Sequence, residues 1–94
     1  MKVHLRYYSI VRDATDRKVE TIELEEDSRI RDLLNILVNR YGETLRVYLY
    51  NDGAIRTDYL MITVNDVDTM SLNKYDTILH DGDTVMLLPP IGGG

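Results

Sequence analysis

One stretch of helical periodicity, set in a chain otherwise patterned for strands, constrains the fold most. Ile30, Leu33, Leu34, Leu37, Val38 and Tyr41 recur on one helix face, while Arg31, Asp32, Asn35 and Asn39 fall opposite and Gly42 is placed to end the run. Asp27 or Ser28 is the expected N-cap, without a capping box, because the residue three positions after either is not Glu or Gln. Ile36 lies off the stripe beside Arg29 and Arg40, as a flank of the core or part of a contact surface.

Around this helix the period changes to two. Val3, Leu5 and Tyr7 alternate with Lys2, His4 and Arg6 as a strand buried on one face, and Ser9 to Arg17 is a polar connection with room for a helical turn around Ile10 and Val11. A second strand falls within Lys18 to Glu25, pairing with the first as a hairpin; Val19 is out of phase with Ile22 and Leu24, which predicts a late start or a bulge. Val47 and Leu49 alternate with Arg46, Tyr48 and Tyr50 before the turn Asn51-Asp52-Gly53, and Leu60, Ile62 and Val64 alternate with Met61 and Thr63 before the turn Asn65-Asp66. After an irregular segment from Asp76 to His80, the turn Asp81-Gly82-Asp83 leads into a last strand, Thr84 to Leu88, whose unbroken apolar run suits a central position. The expected architecture is α+β, a mixed sheet of about five strands with one main helix across one face. The other face stays open, and Tyr48, Tyr50, Met61 and one of the pairs Met86/Leu88 or Val85/Leu87 are expected there as a partner-docking surface.

Ninety-four residues suffice for one domain. The absence of cysteine removes disulfides, thiolate metal sites and a catalytic thiol from the side-chain inventory. A net charge of −5 argues against nucleic acid and favours a partner with a basic receiving surface. No apolar run approaches a signal or membrane segment, so a cytoplasmic location is expected. Phosphate loops, nucleophile elbows and zinc signatures are all missing from the sequence. His4 and His80 have no neighbouring ligand residue and read as solvated or capping side chains, so no metal site is expected. Glu23, Glu25, Glu26 and Asp27 suit the dipole at the helix start; Asp81 and Asp83 suit a turn, and also qualify to line the root of the chain's end.

That end is Leu87-Leu88-Pro89-Pro90-Ile91-Gly92-Gly93-Gly94. The prolines stop a strand ladder and favour polyproline II, and the glycines remove every side chain, so the run suits threading through a narrow channel to present the Gly94 carboxylate. Taken alone, it is equally compatible with an ordinary chain terminus. A carboxylate is inert until activated, for instance as a mixed anhydride with AMP. The acyl-adenylate is then open to a persulfide, a cysteine or a lysine amine.

Leu5-Arg6-Tyr7-Tyr8-Ser9-Ile10-Val11-Arg12-Asp13, Ile62-Thr63-Val64-Asn65-Asp66, and Asp81-Gly82-Asp83-Thr84-Val85-Met86-Leu87-Leu88-Pro89-Pro90-Ile91 with its glycine end together resemble the ubiquitin-like sulfur carriers, especially the molybdopterin synthase small subunit and the archaeal small modifiers. Gly92 stands where that family usually has Ser, Ala or Thr, and Leu87-Leu88 replaces frequent aromatics. The resemblance implies a β-grasp domain over residues 1–88 and an extended, flexible tail over 89–94. It also implies that Pro89, Pro90, Ile91, Gly92 and Gly93 thread a partner while Gly94 is adenylated and thiocarboxylated. The implied protein is a carrier without catalytic side chains or bound cofactor. An E1-like adenylyltransferase activates it with ATP, and a molybdopterin synthase large subunit receives it. Conjugation to lysines of target proteins, sulfur supply to thiamine synthesis or tRNA thiolation, and a plain ubiquitin-like binding role are the alternatives.

Overall fold

The computed structural model describes residues 1–56 and 60–88. Strand β1 (Lys2–Tyr7) turns Val3, Leu5 and Tyr7 inward. Helix α1 (Ser9–Thr15) follows and ends at Asp16, whose left-handed backbone lets its N–H reach the Arg12 carbonyl at 2.8 Å. Strand β2 (Val19–Glu23) then returns antiparallel to β1 in unbroken register, from Arg6 opposite Val19 to Lys2 opposite Glu23. The expected bulge at Val19 is therefore absent. Val19 sits in phase on the outer face, 60% exposed, and the inward position beside Ile22 belongs to Glu20.

Helix α2 (Ile30–Tyr41) buries Ile30, Leu33, Leu34 and Leu37 completely; Ile36, Val38 and Tyr41 pack on the core's margin, which makes Ile36 a core flank. Its cap differs from expectation. Arg29 occupies the cap position, and its N–H donates to the Asp32 carboxylate at 2.8 Å, so a shorter acid supplies the return bond expected of Glu or Gln. Asp27 instead takes a positive φ of 65°, and the Ser28 carbonyl accepts from Leu79 N–H at 2.8 Å, so both residues shape the approach to the helix.

Gly42, with φ 68°, ends α2 by donating to the Val38 carbonyl at 2.7 Å and turns straight into helix α3 (Glu43–Leu49). Here the strand expected through Val47 and Leu49 is overturned. Leu45 and Leu49, four residues apart, are both fully buried, while Val47 is 48% exposed, so the helical period governs the packing of α3 against α1 and α2. A small ribbon, β3 (Tyr50–Asn51) and β4 (Ala54–Ile55), follows on the turn residues Asp52 and Gly53, both at positive φ as a two-residue hairpin of this kind requires.

Strand β5 (Met61–Val64) turns through Asn65 and Asp66, again both at positive φ, into the short β6 (Val67–Asp68). Two 3₁₀ turns, Thr69–Ser71 and Lys74–Asp76, lead on to β7 (Thr84–Leu88). The sheet order is β2-β1-β7-β5-β6, with β7 parallel to β1 and antiparallel to β5. This is the expected mixed five-stranded β-grasp. Its fifth strand is β6 rather than the segment around Val47, and α1 and α3 supplement α2. Val85 and Leu87 point into the core, so Met86 and Leu88 take the open face.

Candidate functional site

The root of the chain's end is fixed from both sides. Leu88 lies opposite Met61 of β5, and the Tyr8 N–H extends the parallel ladder by donating to the Leu87 carbonyl at 3.2 Å. The central strand thus delivers its last described residue, held by two neighbours, at one rim of the sheet. Pro89, Pro90, Ile91, Gly92, Gly93 and Gly94, the predicted threading and activated residues, lie outside the described residues.

Register places the open face row by row. Val19, Arg6, Met86, Thr63 and Asp68 form one row across the sheet; Thr21, His4 and Thr84 form a second; and Leu88 pairs with Met61 nearest the tail. The Tyr8 hydroxyl reaches the Met86 sulfur at 3.9 Å, which lays an aromatic ring along the same rim. Met61, Met86 and Leu88 are thus brought together, half-buried, beside the tail root. Tyr48 and Tyr50 are not among them. Tyr48 belongs to α3, and the Tyr50 hydroxyl points back to Asn35 of α2 at 3.5 Å, because the segment carrying both packs in the helical layer. The strand that the alternation suggested does not form: Tyr48 is helical, and Tyr50 begins the separate β3–β4 ribbon.

Asp81 and Asp83 are also elsewhere than at the tail root. They precede β7, whose five residues carry the chain roughly 16 Å before Leu88. Their work is structural. Asp83 accepts from His80 N–H at 2.8 Å and Asn65 Nδ2 at 2.9 Å, Asn65 in turn accepts from Thr84 N–H at 3.0 Å, and Asp81 accepts from Lys2 N–H at 2.8 Å. These bonds pin the start of β7 to β1 and to the β5–β6 turn. His4 lies on the open face with Nδ1 3.1 Å from the Thr21 hydroxyl, and among the described residues no group of His, Asp and Glu is placed to hold a metal ion.

The sequence reading missed a buried carboxylate that locks β2 to α2. Glu20, 7% exposed, accepts from the hydroxyls of Tyr7, at 2.7 Å, and Tyr41, and from the Arg40 guanidinium. The Tyr7 and Tyr41 rings meet edge to face with centroids 6.5 Å apart. Burial pushes the Glu20 carboxyl up, but the hydrogen bonds from Tyr41, Tyr7 and Arg40 and the Arg40 charge outweigh it and hold the group below its ordinary range. Burial and the bond to Glu20 raise both tyrosines. The period-two series Glu20, Ile22, Leu24 was the available signal. Tyr7 pairs with Leu87 across the β1–β7 ladder, so the cluster stiffens the core side of the strand that leads to the tail root.

The family model described as the ThiS family matches residues 5–94, from within β1 through the glycine end. The chain belongs to the ThiS family. Members of this family are ubiquitin-fold sulfur carriers and modifiers. The ThiS-family chain is 28% identical over the full length of both proteins to small archaeal modifier protein 3 of Haloferax volcanii. It is 34% identical to the ubiquitin-related modifier 1 homolog of Caenorhabditis elegans, over 82% of this chain and 80% of that one. A solved structure, the putative molybdopterin converting factor subunit 1 from Pyrococcus furiosus, superposes with a TM-score of 0.70 at 30% identity, covering 96% of this chain and 98% of that one. No helix among the described residues is long and apolar enough to cross a membrane.

Proposed function

We propose that this chain is a sulfur carrier for molybdopterin synthesis whose working group is the Gly94 carboxylate. An E1-like adenylyltransferase joins that carboxylate to AMP from ATP, releasing pyrophosphate. A persulfide then displaces AMP, and cleavage of its S–S bond by a thiol leaves a thiocarboxylate on Gly94. Seated in the large subunit of molybdopterin synthase, the thiocarboxylate sulfur attacks a pterin precursor, and water then cleaves the C–S bond at Gly94 and restores its carboxylate. The carrier contributes positioning, and the partners contribute the catalytic side chains.

The observation that carries this reading is the rooting of Leu88 between Met61 and the β1 rim, directly before a sequence of two prolines, an isoleucine and three glycines. A rigid root, stiff spacer and side-chain-free end suit delivery of one carboxylate into a partner's channel. Met61, Met86 and Leu88 give that partner an apolar docking surface beside the root. The likeness to a putative molybdopterin converting factor subunit supports the choice of acceptor. Conjugation to lysines through the same acyl-adenylate is the second reading, favoured by two relatives that carry the name of modifier.

The test is a chain lacking Gly93 and Gly94, supplied to cells deprived of the natural one. The truncated chain is expected to fold normally and to leave molybdopterin synthesis unrestored. Full restoration by it contradicts the carrier role.

A further inference from the structure

The open edge of β2 lies against a basic corner that runs counter to the charge of the whole chain. Arg6 at the end of β1, Arg12 on α1, and Arg17 and Lys18 in the connection to β2 line adjoining grooves around Val19. Among the described residues none of these four side chains forms a hydrogen bond or ion pair, and the carboxylates beside them are Asp13 and Asp16. Glu20 is already buried against Arg40. A chain of net charge −5 therefore presents a corner where four cations outnumber the two neighbouring aspartates, at one end of one strand.

The same strand is the edge of the sheet. Met1 and Leu24 exchange both backbone bonds, and Tyr7 N–H donates to the Lys18 carbonyl, so the even-numbered residues of β2 face β1. Val19, Thr21 and Glu23 consequently aim their N–H and C=O groups away from the sheet. Val19 adds an exposed apolar side chain at the cationic end. β2 has five residues in regular register without proline or bulge, and its protection as an edge is limited to the inward Glu20, already paired with Arg40, and to the charges of Lys18 and Glu23 at its two ends.

We propose that the β2 edge docks an extended acidic segment of a partner protein, which adds a strand along Val19, Thr21 and Glu23 and places its carboxylates against Arg6, Arg12, Arg17 and Lys18. Backbone bonds supply the register and the cations supply selectivity for acidic sequence. The site stands apart from the chemistry proposed for the tail and does not depend on it.

The experiment titrates the isotope-labelled full chain with a blocked peptide alternating Glu and Val, and follows the backbone amides by NMR. Shifts centred on Val19, Thr21 and Glu23 are expected, with binding about tenfold weaker in the double variant Arg17→Glu/Lys18→Glu and weaker again in raised salt. The spectrum of the unliganded variant shows whether its fold is intact. The same peptide N-methylated at alternate amides is expected to lose binding to the natural chain, which tests strand addition without altering the protein. The proposal is overturned by no response to the peptide, by equal affinity of the charge-reversed variant, or by undiminished binding of both N-methylated registers. It is equally overturned if an RNA oligonucleotide shifts these amides more strongly than the peptide does.

Discussion

The Tyr7 hydroxyl donates to the Glu20 carboxylate at 2.7 Å, joining the last residue of β1 to the one charged side chain that β2 turns into the core. Arg40 and Tyr41 close the same carboxylate from α2, so a single group ties two strands and the main helix. Removing it leaves a half-exposed guanidinium and two phenols without their acceptor. Glu20→Ala is expected to cost about 3 kcal/mol in urea unfolding, the lower end for breaking a buried pair because Arg40 retains solvent. Tyr7→Phe should cost about 1 kcal/mol, since the carboxylate keeps its other donors.

The same carboxylate makes stability depend on acid. Its folded pKa lies below the ordinary value of 4.5, so its stabilising contribution is complete above that value and is lost as pH falls through the lower, folded one. Urea midpoints of the natural chain should therefore decline as the pH falls below the ordinary carboxylate value of 4.5. Glu20→Gln should start lower and decline less steeply over that window. An unchanged slope would assign the acid sensitivity to other carboxylates.

Leu37 on α2 and Leu45 on α3 are both fully buried, and either change to Ala should cost about 2–5 kcal/mol. Val47→Ala, on the exposed side of α3, should stay within about 0.5 kcal/mol. Comparable losses at Leu45 and Val47 would restore the strand that the alternation suggested.

That segment shows where sequence periodicity stops being sufficient. Arg46-Val47-Tyr48-Leu49-Tyr50 alternates and is rich in β-branched and aromatic residues, yet Leu45 and Leu49 also stand one helical turn apart. Packing against α1 and α2 selects the helical option. Where only one period fits, as in Val3-Leu5-Tyr7, Ile62-Val64 or the α2 stripe, element and buried face agree with the sequence. Met61 was legible for that reason; the unbroken run Val85 to Leu88 has no period, so only its burial against the helices shows that Met86 and Leu88 face outward, and Tyr48 and Tyr50 were misplaced with their segment. Glu20 was overlooked because a carboxylate is an unexpected core residue until its three donors, from β1 and α2, are seen around it. The basic corner was hidden in the same way, since net charge averages over residues that only the fold gathers.

Asp83→Ala removes the acceptor for His80 N–H and Asn65 Nδ2 at the start of β7. It should lower stability by about 1–3 kcal/mol. Because this brace lies at the far end of β7 from Leu88, activation of the tail by the proposed adenylyltransferase should persist under conditions where the variant is folded. A selective loss of activation in the folded variant would move Asp83 into the functional site.

Met86→Arg places a charge in the centre of the open face without touching the core-facing Val85 and Leu87. The fold should survive, and ATP–pyrophosphate exchange by the proposed E1-like partner should rise to half-maximum only at higher carrier concentration. Unaltered exchange would remove this face from the docking surface.

The most direct measurement is the intact mass of the protein isolated gently from its native cells, with the C-terminal peptide mapped alongside. The account predicts a fraction in which one oxygen at Gly94 is replaced by sulfur. A branched peptide joining Gly94 to a lysine would replace sulfur carriage with protein conjugation, and an unmodified carboxylate in every species would contradict the carrier account.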